Sequence, residues 1–160
     1  MSKILKSFGM AALLVALLAG TGMAGTTTTA TGDVVNSATV NVLDTDIEFG
    51  DFVIGDNTVT TTDDSFIEVA TNYNVVLQAA EAGDDGKMSV DANTLGAALK
   101  VGIEAFAATA IDGSAKTVSA TINGGTDLDY DATFVQTVAV DDTVDDGYTI
   151  TVTFTTTAAL

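Results

Sequence analysis

Short runs in which apolar and polar residues alternate one for one constrain this chain more than any other feature. A period of two sends successive side chains to opposite faces, the mark of a half-buried β-strand. The clearest run lies near the end: Tyr148, Ile150, Val152 and Phe154 share one face, and Thr149, Thr151, Thr153 and Thr155 share the other. Gly147, after Asp145 and Asp146, supplies the turn that starts it. Ala38, Val40 and Val42 alternate with Thr39 and Asn41, and Ile47 and Phe49 alternate with Asp46 and Glu48 before Gly50. Further strands are expected over residues 66–70, 73–79, 99–106, 118–122 and 133–140, with a strong turn signal at Asn123-Gly124-Gly125 and an acidic loop at 141–146.

Seven or eight short strands separated by turn residues predict an all-β fold, a sandwich. Proline is absent, so no strand is barred from a sheet interior on that account. One segment reads differently: residues 92–99 are rich in Ala and Leu, which predicts one or two helical turns beside the sheets.

The first 24 residues have another character. Lys3 and Lys6 precede an apolar run over residues 8–18, and small residues follow, ending Gly22-Met23-Ala24. Basic, apolar and small regions in that order are the layout of a secretory signal peptide, with cleavage expected after Ala24. The run is too short for a spanning helix, which needs about 20 apolar residues. A second reading, a type IV pilin leader cut at Gly9, would keep the apolar run as an assembly helix. The organisation expected is therefore signal peptide 1–24, extended arm 25–33 and β-sandwich domain 34–160, in a protein that is extracellular or on the cell surface and carries no membrane segment after processing.

Charge and missing residue types exclude several functions. All 22 Asp and Glu residues lie beyond Ala24, where only Lys87, Lys100 and Lys116 oppose them. So acidic a surface repels nucleic acid and anionic lipid, both of which need cations to neutralise phosphate. The chain has no Cys and no His, which removes thiol catalysis, zinc–thiolate sites and the usual general base. Paired carboxylates could serve a glycosidase, but Trp and Arg are absent too and the aromatics read as core, so no enzyme is expected.

The order of the motifs resembles a known family. Ser37-Ala38-Thr39-Val40, Asp46-Ile47-Glu48-Phe49-Gly50-Asp51-Phe52, Phe66-Ile67-Glu68-Val69-Ala70, Tyr73-Asn74-Val75-Val76-Leu77, Met88 and the closing Gly147-Tyr148-Thr149-Ile150-Thr151-Val152-Thr153-Phe154 are similar to the spore coat U and Csu-type pilin domain. The resemblance runs from about Val34 to Thr155; residues 89–131 follow it only by strand pattern. It implies an immunoglobulin-like sandwich that lacks one strand and is completed by the N-terminal arm of the next subunit, giving a pilus, fibre or coat in which a chaperone and usher can take part. An incomplete sheet exposes unpaired backbone and an unfilled core, and a donated strand satisfies both. The donor side would be Thr26, Thr28, Ala30, Val34 and Val35; the groove would be bordered by Val40 and Val42 on the first strand and by Tyr148, Ile150, Val152 and Phe154 on the last. Residues 34–42 can equally be the domain's own first strand. The family's disulfide is replaced here, with Ala38 and Ala70 at the positions the resemblance gives its cysteines.

No bound cofactor is expected, and the carboxylates are the only groups with chemistry of their own. Asp44, Asp46 and Asp51 bracket the Phe49-Gly50 turn, Asp84 and Asp85 share a loop, and Asp141, Asp142 and Asp145 crowd another. Clustered oxygens of this kind can take Ca²⁺, although the spacing is not that of an EF-hand; the plainer reading is a solvated acidic surface. The Thr row of the last strand offers a flat face for adhesion. The alternative to a fibre subunit is therefore a monomeric surface-binding or calcium-binding module.

Overall fold

The computed structural model describes residues 34–62, 66–81 and 85–159. The chain divides into a unit Met1–Val35, of which only Val34 and Val35 are described, and a unit Asn36–Leu160. The signal peptide, the arm and the donor candidates Thr26, Thr28 and Ala30 lie outside the described residues, as does Asp84.

The second unit is all-β. In chain order its strands are β1 (Ala38–Val42), β2 (Gly55–Thr60), β3 (Ile67–Thr71), β4 (Val75–Glu81), β5 (Lys87–Val90), β6 (Asn93–Ala98), β7 (Lys100–Ile103), β8 (Thr109–Ala110), β9 (Lys116–Thr117), β10 (Thr126–Tyr130), β11 (Ala132–Val138) and β12 (Val152–Ala158). They pair antiparallel in the orders β1-β3-β10, β2-β11-β7-β8 and β12-β4-β9, with β5 and β6 as a separate hairpin. The three larger sheets send Ile67, Val69, Val75, Leu77, Val101 and Ile103 into one core, an arrangement compatible with a β-sandwich. Each fully buried aliphatic side chain there stabilises the fold by about 1.5–3 kcal/mol. Phe66 sits between Phe134 and Phe154, edge-on to both, with ring centroids 5.2 and 5.4 Å away.

Register gives the unit two distinct ends. Ala38 lies opposite Thr71, and Thr71 opposite Thr126, while at the far end of the same sheet Val42 and Tyr130 lie opposite Ile67. The chain then turns at residues 72–74, and β4 climbs back until Ala79 pairs with Phe154, which touches Phe66. The first end is closed by asparagines. The Ser37 N–H donates to Asn72 Oδ1 and the Asn72 N–H to the Ser37 carbonyl, at 2.8 and 3.1 Å. Asn74 Oδ1 accepts from the Gly124 N–H at 2.9 Å, and its carbonyl accepts from Ala159 at 2.9 Å. At the opposite end β11 runs past Phe66 to Val138, paired with Gly55, and into the acidic loop.

Several expectations need correction. Residues 92–99 form no helix: β6 occupies Asn93–Ala98 and pairs with β5, because burying Leu95 against the sheets outweighs the helix propensity of its alanines. The strand expected over 148–155 is laddered only from Val152, and the alternating segment Ile47 to Phe49 pairs with no strand among the described residues. Residues 34–42 are not one strand, since β1 begins at Ala38. Ala38 lies opposite Thr71 and Ala70 opposite Thr39, so the two alanines project to opposite faces of the β1–β3 pair, and cysteines there would not be bridged.

Candidate functional site

The second unit carries an apolar groove with a cavity of about 500 Å³. One wall is residues 44–49, which follow the end of β1, with Ile47 and Phe49 half-buried and Asp46 and Glu48 outward. The other wall is residues 148–152, with Tyr148, Ile150 and Val152 half-buried between exposed threonines. Phe66, Met88, Leu99 and Phe134 form the floor.

Among the described residues, few backbone hydrogen bonds involve either wall. Past Leu43, whose N–H donates to the Phe66 carbonyl, residues 44–49 make no backbone hydrogen bond to another strand among the described residues. Their local bond is an Asp46 N–H to Asp44 Oδ1, at 3.1 Å. Across the groove, the backbone of residues 148–151 makes one bridge to another segment among the described residues, Thr149 with Ser89, paired in both directions at 3.0 Å. Gly147, at φ 83°, turns the chain into this wall and Gly50, at φ 68°, turns it out of the other. Two segments that form no ladder among the described residues thus border one gap lined by apolar side chains.

The acidic loop and the β5–β6 hairpin brace one end of this groove. Asp142 accepts the Gly96 and Ala139 N–H groups, both at 2.7 Å, and the Asn93 amide donates to Asp145 Oδ2 at 3.0 Å. Asp145 Oδ1 also accepts the Asp146 N–H at 2.9 Å. Tyr148 donates its hydroxyl to the Thr143 carbonyl at 2.8 Å. Its pKa is raised, first by burial and then by the charges of Asp145 and Asp142, so it stays a neutral donor.

The residues singled out from sequence fall into three groups. Val40, Val42, Val152 and Phe154 are half-buried on the inward faces of β1 and β12, and Tyr148 and Ile150 line the groove. Val34 and Val35 are exposed. The calcium candidates are scattered over loop hydrogen bonds, with Asp51 and Asp141 exposed, and among the described residues no three carboxylates converge on a metal-sized site. The Thr row is shorter than expected: Thr153, Thr155 and Thr157 face outward on β12, while Thr149 and Thr151 precede the strand.

Sequence reasoning missed the floor and one wall. Ile47 and Phe49 were visible as an alternating pair but read as an ordinary strand, and Phe66, Leu99 and Phe134 read only as core. Comparison with protein-family models, with curated proteins and with solved structures finds no match for this chain.

Proposed function

We propose that this protein is a structural subunit of an extracellular pilus, fibre or coat, and that its groove accepts an extended segment of a second copy. The observation that carries the reading is the pair of segments that form no ladder among the described residues, 44–49 and 148–151, bordering one apolar gap. A strand laid between them would hydrogen-bond to both and cover the half-buried Ile47, Phe49, Tyr148 and Ile150, which is the recognition mode of strand addition. The fold supplies the direction. Ser37 is fixed at the asparagine-closed end, whereas the groove lies toward the other end, so the chain preceding Ser37 leaves from the end remote from its own groove. Donation between copies in that sense is head-to-tail and does not close on itself, which yields a filament. The donor is the segment containing Thr26, Thr28, Ala30, Val34 and Val35, and secretion by the N-terminal signal places the product outside the cell.

Two full-chain variants test this by complementation. Val34→Asp with Val35→Asp damages the donor, and Ile47→Asp with Ile150→Asp damages the acceptor. Circular dichroism checks that both keep their β-structure. Wild type should sediment as oligomers and show filaments by negative stain, each variant should be monomeric, and their mixture should stop at a one-to-one dimer. A wild type that stays monomeric at all concentrations, or a mixture that forms no dimer, sinks the reading in favour of a monomeric surface-binding module.

A further inference from the structure

The two ends of the second unit differ in a way that the groove does not explain. Beyond the Gly55–Val138 limit of the β2–β11 ladder, four aliphatic side chains stand in solvent: Val53, Ile54, Val140 and Val144 are 65, 68, 82 and 99% exposed. They are held out by local structure. Asn57 clamps the 53–55 turn, accepting the Val53 N–H at 2.9 Å and donating to the Val53 and Gly55 carbonyls at 2.8 and 3.1 Å. Asp142 fixes the start of the loop carrying Val140 and Val144 through the Ala139 N–H. Exposed aliphatics grouped on a protein this acidic mark a surface that meets another. Exposed beside them in the chain are Asp51, Asp56, Asp141, Asp145 and Asp146, so whatever covers this tip must tolerate dense negative charge.

The opposite end has the matching property. Residues 36–37, 71–74, 121–126 and 156–159, which the registers and the asparagine bonds bring to that end, include no charged side chain. In a chain with net charge −17, an end whose described residues carry so little charge is one that another copy's acidic tip can approach with little like-charge repulsion. Tip against tip, by contrast, would bring two Asp-rich loops together.

We infer that the aliphatic tip formed by Val53, Ile54, Val140 and Val144 is a second docking surface, and that its occupant is the asparagine-closed end of the next copy. This rests on the head-to-tail reading above, because a segment leaving from beside Ser37 and entering the groove brings that end of its own subunit down upon this tip. The groove then supplies strand pairing, and the tip sets how the two bodies abut. Charge asymmetry between the ends selects head-to-tail over head-to-head contact.

The absence of native cysteine makes the test clean. Full-length Ile54→Cys with Asn123→Cys places one thiol at each end, both at exposed positions. Mild oxidation should convert it into a ladder of disulfide-linked multimers on a non-reducing gel, while Ile54→Cys alone stays monomeric on that gel. Separately, Ile54→Glu with Val140→Glu should weaken self-association by about tenfold or more and leave circular dichroism unchanged. A disulfide-linked dimer from Ile54→Cys alone, as abundant as the multimers from the pair, would show tip-to-tip contact and overturn the inference. So would unchanged association of the glutamate variant while the donor–acceptor complementation above succeeds, which would leave the strand-donation reading standing. A wild type that is monomeric throughout removes both.

Discussion

At the scale of single residues, two features govern what this fold tolerates. Gly86 has φ 69°, and a Cβ built on it would stand 1.9 Å from the Ile111 carbonyl oxygen, a backbone atom that has no rotamer to yield. Gly125 also has a positive φ, 82°, but open space around its missing Cβ. Gly86→Ala should therefore cost about 3 kcal/mol or more in urea unfolding, and Gly125→Ala roughly 1 kcal/mol, which is backbone strain alone. Equal losses would mean that crowding at Gly86 is relieved elsewhere. Charge supplies the second feature. Asp112 is held below its ordinary value of 3.8, first by the Lys116 ammonium 2.9 Å away and then by the Ser114 N–H. A lowered folded pKa contributes stability above the unfolded value and loses it as pH falls through the folded one. Lys116→Met should thus be less stable than wild type at neutral pH, by a small margin for so exposed a pair, with the gap closing as pH drops below about 3.8. A gap independent of pH would assign the effect to packing of the Lys116 stem.

Among elements, the β5–β6 hairpin depends on its neighbours more than on itself. It has only two strands, with an irregular register between Lys87 and Ser89, and an isolated hairpin is marginal in water. Its support comes from Asp142 on Gly96, Asp145 on Asn93, and the Ser89–Thr149 bridge. Asp142→Ala leaves two amides without their acceptor and should destabilise the protein by about 1–2 kcal/mol. Its sharper signature is local: faster hydrogen exchange at Gly96 and Ala139, with the amides of β4 unaffected. Uniform acceleration across the sheets would show that the hairpin and the core unfold as one unit. Legibility from sequence also varied by element. β1, β3, β4, β11 and much of β12 were visible, because inward Val, Ile and Phe alternate with outward Thr and Glu. β2 and β10 were not, since Gly55-Asp56-Asn57-Thr58-Val59-Thr60 and Thr126-Asp127-Leu128-Asp129-Tyr130 carry few apolar residues and are made into strands by pairing with β11 and β3. β6 was misread because Ala and Leu favour a helix locally, and only the facing β5 decides otherwise.

For the whole molecule, charge sets the working conditions. With 22 acidic and 5 basic side chains, and with Lys87 and Lys116 the cations in the ion pairs found among the described residues, self-repulsion is largely uncompensated. Raising sodium chloride from about 10 mM to 0.5 M shortens the Debye length from roughly 30 Å to a few ångströms and should raise Tm by roughly 4 °C. A falling or flat Tm would show that the folded and unfolded chains repel themselves equally. The same screening should strengthen association between copies. By itself the sequence determined the all-β class, most inward-facing residues and the acidic surface, because each follows from alternation or composition within a few residues. The groove, its two walls that form no ladder among the described residues, and the contrast between an end whose described residues 36–37, 71–74, 121–126 and 156–159 carry no charged side chain and an aliphatic, acidic end were decided by tertiary structure. Whether Ile47 and Ile150 complete a ladder or border a gap depends on how far apart the fold holds two segments a hundred residues distant in the chain, and no local pattern encodes that separation.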